Sequence, residues 1–230
     1  HIRTGADITA VCTPVPRGDP RESDYFTVDE NSVITDVSVH PINPMGCESM
    51  EVYIMSKDLL ISLVEHCIAH NIPSFSQGVL LNLGSRLKIM SYCFEGYAAR
   101  LQSVAGYFAR SMDLLDPAVR ADLFAPERPV RTKDRSDPST YYGPEAKSIN
   151  SLVADGCIIE GEVENCVLFR GVRVAKGASI KNCVLMQGTV VEQGVEMEYI
   201  VTDKNVTITE RRHLKGNENF PVYVEKGTVV

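Results

Sequence analysis

The second half of the chain repeats itself. Asn165-Cys166-Val167-Leu168 returns as Asn182-Cys183-Val184-Leu185, and the same offset of 17 aligns Gly171 with Gly188, Val174 with Val191 and Gly177 with Gly194. Inside this period runs a finer one. Val153, Ile159, Val163, Leu168, Val174, Ile180, Leu185, Val191 and Met197 follow one another mostly six apart, with a few gaps of four or five. Two residues ahead of most of them stands a smaller residue: Cys157, Cys166, Val172, Ala178, Cys183, Thr189 or Val195. Hexads of this kind wind a chain into a triangular prism whose sides are short strands and whose corners are turns. One large and one small residue per side point inward, because two bulky groups would overfill the interior. Glycines 156, 171, 177, 188 and 194 fall where the corners need positive φ. Residues 149–230 are therefore expected to form a left-handed parallel β-helix, the handedness being the known exception to right-handed crossovers. About four coils fit between 149 and 210 by this period.

The repeat also settles three of the seven cysteines. Cys166 and Cys183 would stack on neighbouring coils about 4.8 Å apart, which invites a disulfide, yet inward packing of small residues accounts for Cys157, Cys166 and Cys183 without one. Cys12, Cys47, Cys67 and Cys93 receive no role. The total is odd and no Cys-x-x-Cys pair occurs, so reduced thiols are expected.

Residues 1–116 read as mixed α/β. Ile8–Cys12, 25–28, 33–37, 50–55 and 87–94 are strand-like, and the strands from Ile8 to Met55 are expected to leave a sheet edge unpaired. Ser56 offers an N-cap to a helix carrying Leu59, Leu60, Leu63, Val64, Cys67 and Ile68 on one stripe. Val104, Ala105, Phe108, Met112 and Leu115 recur at helical spacing before Pro117 interrupts them. Residues 117–148 hold five of the twelve prolines and read as a linker, in which Arg128, Arg131, Lys133 and Arg135 form a solvated basic cluster.

Composition removes several function classes. Lys plus Arg total 23 against 30 Asp plus Glu, a net charge of −7, which disfavours nucleic acid or anionic lipid as partner. No apolar run nears the roughly 18 residues that span a bilayer and no signal-peptide pattern opens the chain, so a cytoplasmic location is expected. His-Glu-x-x-His, Gly-x-Gly-x-x-Gly, Walker A and Gly-x-Ser-x-Gly motifs are missing. His66 and His70 have metal-ligand spacing with no third ligand nearby in sequence, and are read as helix surface. Hexad β-helices are common in acyltransferases that use a His as base, but no His occurs between 71 and 212. His213 would be the residue to test for acyltransfer, with a pure scaffold the other form of that reading.

The order of parts, with several local matches, resembles the ADP-glucose pyrophosphorylase (glucose-1-phosphate adenylyltransferase) family over nearly all of the chain. Gly5-Ala6-Asp7-Ile8-Thr9 looks like a helix-to-strand junction of its catalytic domain. Ser49-Met50-Glu51-Val52-Tyr53 looks like its Ser-Met-Gly-Ile-Tyr strand, and 96–114 like the segment closing the domain. The resemblance implies a partial nucleotidyltransferase domain at 1–116, with the family's glycine loop lying upstream of Gly5. It gives Ser49 as the one substrate-binding candidate.

Departures from the pattern all remove ligand contacts. Arg100 stands at the place of the family's Mg²⁺-holding Asp, and a guanidinium has no lone pair to give a cation. Val39 and His40 replace the Glu and Lys of Phe-x-Glu-Lys-Pro. Glu51 replaces a glycine, and Ser74-Phe75-Ser76-Gln77 replaces Asp-Phe-Gly-Lys. Together they resemble the family's GlgD-type regulatory subunits. No catalytic residue, metal ligand or bound cofactor is then expected in this chain. Mg²⁺ belongs to a catalytic partner subunit, in a tetramer answering to a small-molecule effector. The alternative is an active sugar-1-phosphate nucleotidyltransferase whose metal and nucleotide site lies wholly upstream.

Overall fold

The computed structural model describes residues 1–14, 23–81 and 86–230, the side chains of Gln77 and Leu81 excepted. They form two compact units, residues 1–99 and 100–230.

The first unit is a five-stranded sheet in the order β3-β2-β4-β1-β5, made of β1 (Ile8–Thr13), β2 (Asp24–Val28), β3 (Ile34–Val39), β4 (Cys47–Met55) and β5 (Ile89–Cys93). β1 runs antiparallel to β4 and parallel to β5. Alternation along β1 turns Ile8, Ala10 and Cys12 to one face, where Phe26, Val37, Ile89, Leu63, Val79 and Leu80 complete the core. Of the strands from Ile8 to Met55, β3 ends the order with a ladder on one side only among the described residues, whereas β5 covers the other side of β1. The turn before β3 reaches β5 in its turn, through Ser91 N–H donating to the Ser32 carbonyl at 2.7 Å.

Helix α1 (Lys57–Ala69) starts where its cap predicts, with Ser56 Oγ accepting from the Leu59 N–H at 3.2 Å. Its stripe is only partly used. Leu63 is buried with Leu59 and Cys67 packed beside it, whereas Leu60, Val64 and Ile68 stay exposed.

The second unit is the prism. Three five-stranded parallel sheets form its sides, and through the middle of the coil each residue pairs with the one 17 positions on, as in Val167↔Val184↔Val201 and Val163↔Ile180↔Met197, whereas Val167↔Leu152 and Ile200↔Val222 show other offsets towards the ends. Every hexad residue named above from Cys157 onward is buried, large and small alike. Burying a Val, Leu or Ile side chain contributes about 1.5–3 kcal/mol, so a repeated inward column is the main support of the coil. The two polar residues in it satisfy each other: Thr189 Oγ1 lies 2.9 Å from Thr202 Oγ1 and donates to the Met186 carbonyl.

The corners explain why the period is 17 and not 18. Two corners take six-residue steps and carry positive φ at Gly171, Gly188 and Asn205, and at Gly177, Gly194 and Arg211. The third is one residue tighter and is turned by Asn165, Asn182 and Tyr199, all at φ near +50°. Asn150 holds the same place one rung earlier, and its Nδ2 donates to Asn165 Oδ1 at 2.7 Å.

Each side of the prism has its own outer surface. One carries charges that alternate between rungs, with Lys147 on Glu162, Lys181 on Glu164 and Lys215 on Glu198. These contacts hold the Glu162 carboxyl below its usual range and the Lys181 and Lys215 ammonium groups above theirs. A second side is apolar outside as well as inside. Its outward Val167, Val184 and Val201 are covered by Phe108, Tyr107, Met112 and Leu115.

That covering moves the boundaries. Helix α2 (Val104–Asp113) belongs to the second unit, where the sequence placed it in the first, because its Phe108 face meets the outward valines. Pro117 does not merely end a helix. It opens a new one, α3 (Pro117–Leu123), with Asp116 as N-cap, since proline at the first helical position forfeits no hydrogen bond. The expected linker also holds the first rung, at Tyr141–Tyr142 and Lys147–Ile149. At the far end the coil continues past 210, through His213–Lys215, Val222–Val224 and the Thr207↔Val229 bridge.

Candidate functional site

In the first unit the position of interest is the β4 bulge. β1 and β4 pair regularly until the register jumps between Val11 and Cys12, leaving Met50 and Glu51 as extra residues opposite one step of β1. Glu51 takes φ +56°, the left-handed conformation that suits glycine. This is the residue that stands for the glycine of Ser-Met-Gly-Ile-Tyr, so a backbone position that suits glycine carries a carboxylate. Ser49 sits at the base of the bulge, fully buried, its Oγ accepting from the Glu51 N–H at 3.1 Å. Glu51 itself is exposed.

The surrounding positions follow from the sheet. Glu48, beside Ser49, is buried and accepts from Ser23 Oγ at 2.9 Å. Val39 ends β3 against the apolar core, and His40, exposed at φ +49°, donates its N–H to the Ser23 carbonyl. On the far side of the bulge Tyr53 packs on Phe75 with ring centroids 4.8 Å apart, and its hydroxyl is 3.5 Å from Ser76 Oγ. The side chain of Gln77 lies outside the described residues. Arg100 begins the second unit.

The chemistry of this set is that of a strand that holds its shape without the family's ligands. Val39 offers no polar atom, and a carboxylate at Glu51 opposes an anionic substrate. Arg100 carries a guanidinium, which has five N–H donors and no acceptor.

Other sequence candidates separate cleanly. His66 and His70 stack on each other at 4.2 Å between centroids, and His70 Nδ1 bonds the His66 carbonyl on an exposed helix flank. His213 is not beyond the coil but on its charged side, exposed, 3.1 Å from Glu196 Oε2. In the basic cluster Arg128 pairs with Asp122 and Arg135 with Asp137. Cys157, Cys166 and Cys183 are free thiols sealed in the prism. Burial raises the Cys157 and Cys183 pKa values, and the adjacent Cys166 thiol raises that of Cys183 further.

One grouping was invisible to the sequence reading. Cys12, Cys47 and Cys93, on β1, β4 and β5, bring their Sγ atoms within 4.8 Å of one another. They are 35 and 46 residues apart in the chain, and only the strand order β4-β1-β5 unites them. Burial, then the neighbouring Cys47, pushes the Cys12 thiol up to about 12.

Comparison with known proteins agrees with both units. A family model described as GlmU-like, C-terminal hexapeptide, matches residues 139–219. The chain is 43% identical over 184 residues to "Glycogen biosynthesis protein GlgD" of Bacillus subtilis, covering 79% of this chain and 53% of that one. It is 32% identical over 184 residues to a glucose-1-phosphate adenylyltransferase of Geobacillus stearothermophilus, covering 78% and 48%. Against the enzyme of that name from Acetivibrio thermocellus the identity is 27% over 225 residues, 96% of this chain and 53% of that one. The chain thus spans about half the length of the curated relatives it matches. A match that runs through the sheet as well as the coil is more than a shared hexapeptide repeat, and over both units the chain is similar to GlgD proteins and to glucose-1-phosphate adenylyltransferases.

Proposed function

We propose that this chain is part of a regulatory, non-catalytic subunit of glucose-1-phosphate adenylyltransferase, acting in the cytoplasm in bacterial glycogen synthesis. The observation that carries the reading is Glu51, which stands where the family's pattern has a glycine, takes a left-handed backbone in the β4 bulge and puts an exposed carboxylate there. Val39 and Arg100 act in the same direction, one withdrawing a sugar-phosphate contact and the other a cation ligand. Ser49 remains as a buried hydroxyl that supports the bulge, and its place beside Glu51 makes it a structural remnant of a sugar site.

Regulation in this reading works through assembly. The partner is the catalytic adenylyltransferase subunit, in a mixed tetramer, and Mg²⁺ is held there. A small-molecule effector shifts the partner only by binding its two states with different affinity. The names of the GlgD relatives support a place in glycogen biosynthesis, and the departures from the catalytic pattern support the non-catalytic role. The test is direct. The natural protein, purified without partner, is assayed with ATP, glucose 1-phosphate and Mg²⁺. No ADP-glucose above background is expected. A rate typical of the catalytic enzymes, abolished by Arg100→Ala, would support the alternative of an active nucleotidyltransferase.

A further inference from the structure

The structure assigns Cys12, Cys47 and Cys93 as a three-sulfur site for a thiophilic d¹⁰ cation, monovalent copper or zinc. Among the described residues no other group of three or more His, Cys, Asp or Glu side chains converges in this way.

Geometry is the first argument. Cys12 and Cys93 are register partners on the parallel pair β1 and β5. Ser49 is the partner of Cys12 on β4, and Cys47, two residues from Ser49, shares its face. The three residues therefore sit on neighbouring strands with their thiols converging on one face, at the carboxyl ends of β1 and β5, where open sheets present ligands. A cation with metal–sulfur bonds of about 2.3 Å holds its sulfurs about 3.8–4.0 Å apart. The observed separations, all within 4.8 Å, close to that value by side-chain adjustment of less than about an ångström.

Burial is the second. Cys12 is buried, Cys47 half-buried and Cys93 exposed, so the cluster has a sealed floor and an open mouth. Packing explains a sulfur at Cys12 but gives no reason for one at Cys93. Gly46 fixes the start of β4, because a Cβ there would collide with the Phe26 carbonyl, and this holds Cys47 in place. Behind the floor, the Tyr92 carbonyl accepts from Cys12 Sγ at 3.7 Å and restrains its rotamer.

The ligand class follows from the donors. Three soft sulfurs select Cu⁺ or Zn²⁺ over Mg²⁺ or Ca²⁺. With no fourth side chain converging among the described residues, trigonal coordination suits Cu⁺ directly and Zn²⁺ with a water in the fourth position. On binding, each thiol gives its proton to solvent and its sulfur lone pair to the cation. Because each thiol gives up a proton on binding, affinity rises with pH.

The experiment uses the intact chain, reduced and free of oxygen, titrated in separate arms with Cu⁺ and with Zn²⁺. Sulfur-to-metal charge-transfer absorption, metal content after gel filtration and the number of thiols still open to a disulfide reagent are recorded. One equivalent of at least one cation is expected, with Cys47 and Cys93 shielded from the reagent. Cys93→Ser, at an exposed position that leaves the fold intact, and Cys47→Ser should each weaken binding at least about 100-fold, more than changes to outer-shell partners do. Cys67→Ser should not alter it. Neither cation binding the folded chain, or binding that survives Cys93→Ser, would overturn the assignment. Native protein isolated with a Cys12–Cys93 or Cys47–Cys93 disulfide that takes up neither cation after reduction would also overturn it.

Discussion

The two units use cysteine in opposite ways. In the prism, Cys157, Cys166 and Cys183 fill the small inward position of a hexad, bond to backbone carbonyls of their own and neighbouring rungs, and meet no solvent. In the sheet, Cys12, Cys47 and Cys93 meet one another across three strands, with exposure graded from floor to mouth. The lesson is that a sulfur's chemistry is set by what the fold puts beside it. A closed coil makes thiols into small apolar spacers, whereas the end of an open sheet gathers them at a surface where ions and reagents arrive.

The contrast extends to energetics, and its largest expected consequence is in the cores. Leu185 has neighbours on the rungs before and after it and no space into which the prism can collapse, so Leu185→Ala should cost about 3–5 kcal/mol. In a stack where each rung touches only the next, the loss of hydrogen-exchange protection should centre on residues 163–202. Phe108→Ala should cost about 3 kcal/mol and loosen the Val167, Val184 and Val201 side before the charged one. A denaturation series with exchange mass spectrometry reads both. Equal loss of protection around the whole coil after Phe108→Ala would contradict the account of α2.

Next comes a pH effect at one thiol of the sheet. Cys12 is raised from 9.0 to about 12 in the folded chain. The unfolded chain therefore loses that proton near pH 9 while the folded chain keeps it. Stability from this group is complete below pH 9 and is lost as pH rises from 9 towards 12. Cys12→Ala should flatten the fall measured by urea denaturation across that window. An unchanged slope would show that the thiol is not held as described.

The smallest effect is at the bulge. Glycine removes the left-handed penalty of Glu51, so Glu51→Gly should stabilise the first unit by up to about 1 kcal/mol. Destabilisation by the same amount would mean that the carboxylate contributes more than the backbone costs.

These two regions also differ in how far the chain announced them. In the middle of the prism each residue pairs with one 17 away, so a repeat such as Asn165-Cys166-Val167-Leu168 states its own contacts. That is why the inward columns and the glycine corners were legible. The cover on Val167, Val184 and Val201 was legible too, in hindsight. A strand that is apolar at consecutive residues has two buried faces, and α2 is what buries the second. The reading by resemblance assigned that helix to the preceding domain. The bulge could be found only by analogy, because a Glu carries no sign of φ +56°, whereas a glycine would. The trio of Cys12, Cys47 and Cys93 was out of reach, since strand order is decided by the whole sheet and by no local pattern.

The central claim is that this sheet has kept its form, lost its substrate contacts and now acts through a partner. It is tested most directly by measuring ADP-glucose synthesis by the catalytic adenylyltransferase subunit with and without the natural protein, across a panel of phosphorylated glycolytic intermediates. The account predicts a stable mixed complex and a changed rate or effector response. A catalytic subunit whose rate, effector response and oligomeric state stay the same in its presence would contradict it.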